Sequence, residues 1–166
     1  MKIFKEEQRF TQWFLWLILI SILLLFMYGT IQQVFFNISF GNRPMSNTGA
    51  LITTILFSFF VVLFKFLRLN TVINECGISY KFFPINKNHT LITWKNMAGI
   101  SIIKYRPNSE YGGWGLKHGS YTVKGNIAIK IQLKNGETLI IGTQKASDVK
   151  KVLKTYETQI NSSSEK

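Results

Sequence analysis

Charged residues are absent from Phe10 to Asn42, and cysteine, histidine and acidic residues are scarce throughout the chain. The 166 residues include one cysteine, two histidines and eight acidic residues. A single cysteine excludes an intrachain disulfide bond and fits a reducing compartment. His89 and His118 lack a second ligand at metal-binding spacing, so we expect neither a metal nor another cofactor.

The scarcity of catalytic residue types also argues against an enzyme. Ser109, Glu110 and His118 share one segment, but a hydroxyl, a carboxylate and an imidazole fall together by chance too often to predict a catalytic site. We therefore expect a non-enzymatic protein with no catalytic residues.

Two apolar runs predict membrane-spanning helices at about residues 11–31 and 48–68. The first, Trp13–Tyr28, has no polar stripe, and with its flanks it can cross roughly 30 Å of hydrocarbon. It is too long for a signal peptide, and no cleavage motif follows it. The second run, Gly49–Phe64, is flanked by Lys65 and Arg68, which favours a span over a soluble core helix.

Basic residues near the ends of the runs predict the orientation. The link between them contains only Arg43, whereas both outer flanks are richer in cations, which are Lys2, Lys5, Arg9, Lys65, Arg68, Lys81 and Lys87. Cytoplasmic segments carry the excess of lysine and arginine, so we expect both termini in the cytoplasm of a multi-pass inner-membrane protein. The residues before the first span would be a short charged tail, and residues 1–70 would form the membrane part.

Residues 71–160 predict one small β-rich domain, followed by a disordered tail at 161–166. Short β-prone runs bounded by glycine, proline or asparagine predict seven antiparallel strands. They are Thr71–Cys76, Ile78–Phe82, Thr90–Trp94, Gly99–Tyr105, Tyr121–Val123, Ile127–Lys134 and Glu137–Gly142. Cys76 is expected to fill a small core position at a strand end.

The clearest local patterns lie near the C-terminus. Strict alternation from Ile127 to Leu133 predicts a half-buried strand, and Asn135-Gly136 predicts a type I′ hairpin turn. A helix should begin near residues 145–147, with one apolar face formed by Val149, Val152, Leu153, Tyr156 and Ile160.

Seven strands followed by one amphipathic helix are the order of a pleckstrin-homology (PH)-like barrel, in which the helix covers one open end. An OB-type barrel is the second possibility, but a helix after the last hairpin fits it less well.

Three segments also resemble an uncharacterised bacterial family in which two N-terminal membrane spans precede a cytoplasmic bacterial PH-like domain. They are Tyr105–Gly115, Tyr121–Asn126 and Ile140–Lys145. The chain departs from the family pattern at Lys117 and Ala146, where the family often has arginine and proline. The resemblance implies the fold and the topology, and it implies no activity or ligand.

The segment from Arg106 to Gly119 is the candidate ligand or partner loop. Its glycines permit unusual backbone conformations, and its aromatic and charged groups could bind a partner or an anionic group. The candidate residues are Arg106, Glu110, Tyr111, Trp114, Lys117 and His118. The other interpretation is structural, with the rings packed over the edge of the barrel.

Charge and topology together predict an interaction module. From Thr71 onward the chain carries 14 basic and six acidic residues, and the lysines are scattered singly, so no nucleic-acid partner is expected. The domain would bind a partner protein, a second copy or anionic lipid headgroups. The alternative is an accessory subunit of a transporter or envelope-stress complex, recognised through its helices. Polar residues would then mark helix contacts, namely Ser21, Gln32, Gln33, Thr53, Thr54 and Ser58.

Overall fold

The computed structural model describes residues 3–107, 113–117 and 119–156. It divides into two compact units, a helical hairpin of Thr11–Phe66 and a β domain that combines Met1–Phe10 with Leu67–Lys166. The predicted tail at 161–166 lies outside the described residues.

The helical hairpin consists of α1 (Trp13–Phe35) and α2 (Asn47–Phe66). Both helices are long and apolar enough to cross a membrane. Helix α1 continues beyond the predicted end near residue 31, since no glycine or proline follows Gly29 until residue 41. Gly29 allows close packing inside the hairpin, because a Cβ atom there would lie 2.6 Å from the Phe40 ring.

The contact between the two helices uses small and polar side chains. The Thr30 and Thr54 hydroxyls lie 2.7 Å apart, and the Thr30 hydroxyl also donates to the Ala50 carbonyl oxygen at 3.3 Å. Gln33 donates to the carbonyl of Met45 and to Asn47 Oδ1. Two of the residues predicted to mark helix contacts, Gln33 and Thr54, therefore bond from one helix of the hairpin to the other.

The first sheet of the β domain has the order β1-β2-β3-β4, formed by Phe4–Arg9, Arg68–Asn74, Gly77–Phe83 and Thr90–Thr93. All of its pairs are antiparallel. The N-terminal segment is therefore a strand, and the prediction of a charged tail was wrong. The alternation from Phe4 to Arg9 places Phe4, Glu6 and Gln8 on the buried face, although two of these three residues are polar.

The second sheet has the order β5-β8-β9-β7-β6. Its strands are β5 (Met97–Lys104), β6 (Gly115–Lys117), β7 (Ser120–Thr122), β8 (Ile127–Leu133) and β9 (Thr138–Gly142). Strand β6 lies within the segment predicted to be a loop, Arg106–Gly119. Strand β7 is parallel to β9, so the all-antiparallel prediction was also wrong.

The two sheets do not form the closed barrel that the strand pattern predicted, since no described strand of one sheet pairs with a strand of the other. A 3-10 turn at Trp94–Asn96 carries the chain from β4 into β5 and so from one sheet to the other. Side chains join the sheets instead. The rings of Tyr80 on β3 and Tyr121 on β7 lie 4.4 Å apart between centroids.

The core lies between the sheets and under the C-terminal helix α3 (Ala146–Thr155), which begins where the sequence predicted. Val149 and Val152 are buried on its apolar face, and the Tyr156 ring just beyond it stacks on Trp94 at 5.4 Å. Ile160, predicted as part of this face, lies outside the described residues. The largest fully buried aliphatic side chains are Leu69, Ile73, Ile78, Met97, Ile129, Ile131 and Ile141.

Strand β1 is also tied by side chains to the start of α3. The buried carboxylate of Glu6 accepts hydrogen bonds from the Thr143 hydroxyl at 2.7 Å and the Gln144 backbone N–H at 2.9 Å. Gln8 donates to the Gly142 carbonyl oxygen at 2.6 Å. These bonds explain why two polar side chains can face the interior.

Two local predictions need correction. Asn135 does not have positive φ, whereas Gly136 does, at 87°, and its N–H donates to the Leu133 carbonyl. The β8–β9 turn is thus a tight turn followed by a left-handed glycine, with Asn135 accepting from the Glu137 N–H. Cys76 is exposed in the β2–β3 turn and does not fill the core, because the buried side chains of this hairpin come from the strands themselves.

Candidate functional site

The structure places three of the six residues predicted for the glycine-rich loop. Arg106 is exposed just after β5, Trp114 is half-buried just before β6, and Lys117 is exposed at the end of β6. The other three, Glu110, Tyr111 and His118, lie outside the described residues.

Described contacts give the loop a structural role at its two ends. The Gly113 N–H donates to the Pro107 carbonyl at 2.8 Å, and Trp114 Nε1 donates to the Gly125 carbonyl at 2.9 Å. Gly113 and Gly115 have φ of 108° and 133°, which a side chain would strain. The indole is therefore held against the turn before β8, which agrees with the structural interpretation of this ring.

The best-defined titratable group of the β domain is the Tyr80 phenol. Burial raises its pKa above the usual range, and a hydrogen bond with Tyr121 raises the pKa further. The phenol therefore stays protonated at physiological pH. Its ring lies in the contact between the two sheets, so the group has a structural role there.

The described surface also contains a shallow cleft of about 410 Å³, at the end of the domain near the β8–β9 turn. Its lining offers aliphatic, amide and ammonium groups and consists of Leu91, Ile92, Asn96, Leu133, Lys134 and Asn135. Among residues 3–107, 113–117 and 119–156, no three histidine, cysteine, aspartate or glutamate side chains are placed to hold a metal ion.

A second feature, the outer edge of β5, has no local signal in the sequence. This strand lies at the end of its sheet and pairs only with β8 among the described strands. In an antiparallel pair, the residues whose backbone groups bond to the partner alternate with residues whose groups point away. It is therefore enough to know whether the odd-numbered or the even-numbered residues of β5 bond to β8, because the backbone groups of the other residues lie on the open edge.

Two hydrogen bonds show which residues of β5 bond to β8. The Tyr105 N–H donates to the Asn126 carbonyl at 2.9 Å, in register with the β5–β8 pairs. On the other side of β8, the Leu133 N–H donates to the Glu137 carbonyl at 2.8 Å, so the odd-numbered residues of β8 bond to β9. Both bonds require Ile100, Ile102 and Lys104 to direct their backbone N–H and C=O groups away from β8.

The side chains leave this edge unprotected. Ile100 and Ile102 are half-buried, and Lys104 is the only charged residue of β5. The strand has no proline, and its one irregularity lies at its start, between Met97 and Gly99. Exposed edges are normally protected by charge, proline or a bulge, so this edge can accept a further strand.

Comparison of the chain with protein-family models finds no matching family, and comparison with curated proteins finds no match.

Proposed function

We propose that this chain is an integral membrane protein of the cytoplasmic membrane of a bacterium, with two spans and both termini in the cytoplasm. The pairing of Arg9 with Arg68 supports this topology, because it requires the segments before α1 and after α2 to be on the same side. The hairpin exposes large apolar side chains, such as Leu24, Ile55 and Phe59, as lipid-facing helices do. The basic flanks support the cytoplasmic orientation.

The β domain is PH-like in this proposal, with two insertions. Without these insertions, the chain has seven strands followed by one helix. The first four strands are β1–β4, the next three are β5, β8 and β9, and the helix is α3. The helical hairpin is inserted between β1 and β2, and the β6–β7 hairpin is inserted after β5. The resemblance to the bacterial two-span family supports the same assignment.

The domain acts as a non-enzymatic interaction module, and the open edge of β5 carries this proposal. Its occupant is β5 of a second copy. Two copies anchored in one membrane have the same orientation, so a two-fold axis along the membrane normal can relate them. An antiparallel β5–β5 pair would then join the second sheets of the two copies.

The residues of β5 favour one register for such a pair. With Ile102 opposite Ile102 of the second copy, Ile100 lies opposite Lys104, and all three have outward-pointing backbone groups. This register gives six backbone hydrogen bonds by the geometry of antiparallel pairs and places no lysine opposite a lysine.

Cysteine cross-linking of the full-length chain in membranes tests this pair. In a Cys76→Ser background, Ile102→Cys should form a disulfide-linked dimer on mild oxidation, because directly opposed Cα atoms lie about 5.5 Å apart. Leu91→Cys, on the edge of the first sheet, is the matched control and should remain monomeric. Equal cross-linking of the two variants would indicate random collision and contradict the proposal.

A proline substitution provides a second test. Ile102→Pro removes an N–H that points away from β8, so the domain should still fold while the dimer is lost. The number of subunits per particle can be measured by single-molecule photobleaching in nanodiscs. Single subunits for the unmodified chain would contradict the proposal, and a dimer that survives Ile102→Pro would place the interface elsewhere.

Recognition through the helices is the second candidate function, favoured by the apolar outer face of the hairpin. The chain would then be an accessory subunit of a membrane transporter or an envelope-stress complex. Replacing both helices with unrelated spans discriminates between the two. A retained β5 cross-link and physiological role favour the β domain, and loss of the role with a folded β domain favours the helices.

A further inference from the structure

The outer face of the first sheet carries a cluster of cations at one end. The strand register aligns Arg9, Arg68 and Phe83 in one row across β1, β2 and β3. The next row aligns Glu7, Asn70 and Lys81. Residues opposite each other share a face of the sheet, so these two rows form one surface, called here the arginine face.

Contacts within the arginine face hold its cations in place. The Glu7 carboxylate contacts Arg9 Nη2 at 2.6 Å and Arg68 Nη1 at 3.6 Å. The Arg68 guanidinium also lies over the Phe83 ring, 4.9 Å from its centroid, and Lys81 Nζ lies 5.6 Å from the same centroid. The arginine face thus holds three cations and one carboxylate, which pairs with the two arginines, so the four charged groups leave a local excess of positive charge.

Arg9 and Arg68 of the arginine face are close to both predicted spans in the sequence. Three residues separate Arg9 from the start of α1 at Trp13, and one residue separates the end of α2 at Phe66 from Arg68. An extended chain covers at most about 3.6 Å per residue, so these arginines lie within roughly 14 Å and 7 Å of the helix ends. The headgroup layer of a bilayer begins where the hydrocarbon ends, within this reach.

We infer that the arginine face binds the phosphate of anionic lipid headgroups in the cytoplasmic leaflet. This inference rests on the proposed membrane topology. Guanidinium groups match phosphate oxygens in a bidentate geometry, and their positions are already fixed by Glu7 and Phe83. The positive excess selects headgroups that carry net negative charge over zwitterionic headgroups, whose phosphate is balanced by an ammonium group.

The test uses the full-length chain in a neutral detergent, with bound lipid counted by native mass spectrometry. Phosphatidylglycerol should bind in preference to phosphatidylcholine. Each cation near an anionic headgroup contributes a factor of about five, so Arg9→Gln/Arg68→Gln should weaken phosphatidylglycerol binding about 25-fold. Lys150→Gln/Lys154→Gln removes the same charge from the exposed surface of α3 and should leave binding unchanged.

Two single variants keep the test decisive if the double variant is unstable. Lys81→Gln should weaken binding about fivefold without removing an ion pair with Glu7. Glu7→Gln should tighten binding by a similar factor, because it removes the only carboxylate of the arginine face and keeps an amide oxygen that can accept the hydrogen bond from Arg9. Weaker binding in Glu7→Gln would contradict an electrostatic site.

Several outcomes would overturn the inference. Equal losses in the arginine and α3 variants would show that only bulk charge acts, and equal binding of the two lipids would remove the selectivity. Competition by millimolar inorganic phosphate would identify free phosphate as the ligand. Alkaline extraction of the same variants from membranes separates the two proposals. Release of the chain by alkali contradicts membrane insertion. A chain that stays inserted but shows no lipid preference contradicts only the binding of anionic lipid by the arginine face.

Discussion

Leu56 in α2 and Ile129 in β8 are both aliphatic residues in regular secondary structure, yet Leu56 is 63% exposed and Ile129 is fully buried. The same contrast holds across the two units. In the helical hairpin the buried positions include Gly29, Thr30, Gln33 and Ala50, and large apolar side chains point outward. In the β domain the large apolar side chains fill the core.

The contrast shows how the two units would be stabilised in different solvents. Burial of apolar surface away from water stabilises the β domain, and its buried polar groups need partners, as Glu6 has in Thr143 and Gln144. Lipid is as apolar as leucine, so helices in a membrane associate through close packing and hydrogen bonds. The Thr30–Thr54 pair and the packing of Phe40 over Gly29 are contacts of that kind.

The largest expected effect concerns the boundary between the two units. Replacing residues 10–67 with an Asn-Gly turn should give a soluble, folded β domain, because Arg9 and Arg68 already lie opposite each other. Starting the same protein at Thr71 instead should abolish folding, since it deletes β1 and the first three residues of β2, and with them the buried side chains of Phe4 and Leu69. Circular dichroism and solubility measure the difference. A stable domain without β1 would show that β1 belongs to the membrane part.

Truncation of a large apolar side chain should destabilise the β domain more than the helical hairpin, because such side chains are buried in the first and exposed in the second. Ile129→Ala in the hairpin-free domain should reduce the free energy of unfolding by about 2–5 kcal/mol, because it leaves a cavity in the core. Leu56→Ala in the full-length chain should have little effect on unfolding in detergent, since this side chain faces outward. Urea titration for the domain and denaturing-detergent titration for the full chain provide the measurements. A large loss for Leu56→Ala would mean that α2 packs against something on that face.

The two neighbouring carboxylates of β1 provide an internal comparison. Glu6→Ala should cost about 1–3 kcal/mol of unfolding free energy, because the buried Thr143 hydroxyl and the partly buried Gln144 N–H lose their acceptor. Glu7→Ala, on the exposed face, should cost less than about 1 kcal/mol, since it removes only surface ion pairs. Thermal unfolding of the hairpin-free domain measures both. Equal losses would contradict the link between β1 and the start of α3.

The smallest expected effect lies inside the hairpin. Thr30→Val removes the hydroxyl that lies 2.7 Å from that of Thr54 and should cost about 0.6 kcal/mol, a typical value for a hydrogen bond between membrane helices. Thr53→Val is the control on α2. Denaturing-detergent titration resolves the difference, and an unaltered midpoint for Thr30→Val would show that the bond between Thr30 and Thr54 does not stabilise the hairpin.

The sequence predicted the parts of the fold that depend on local patterns. Both apolar helices, the β8–β9 hairpin and the start of α3 follow from uniform hydrophobicity, period-two alternation and helical spacing, respectively. The parts that failed depend on distant residues. Strand β1 was predicted to be a charged tail because the hydrogen-bond partners of Glu6 and Gln8 lie more than 130 residues away in the sequence.

The same distinction between local and long-range patterns applies to the candidate sites. Glycines and aromatic residues identified the loop at Arg106–Gly119, of which Trp114 has a described structural contact at Gly125. The open edge of β5 and the rows of the arginine face had no local signal, because each depends on which strands become neighbours. Arg9 and Arg68 are 59 positions apart in the chain and opposite each other in the sheet.

The sidedness of three cysteines tests the proposed topology most directly. Membrane-impermeant maleimide is applied to right-side-out and inside-out vesicles that contain the natural Cys76, or Lys5→Cys or Asn42→Cys in a Cys76→Ser background. We predict labelling of Asn42→Cys only in right-side-out vesicles, and labelling of Cys76 and Lys5→Cys only in inside-out vesicles. Labelling of all three from one side would contradict two membrane spans, and labelling of Lys5→Cys and Cys76 from opposite sides would contradict the pairing of β1 with β2.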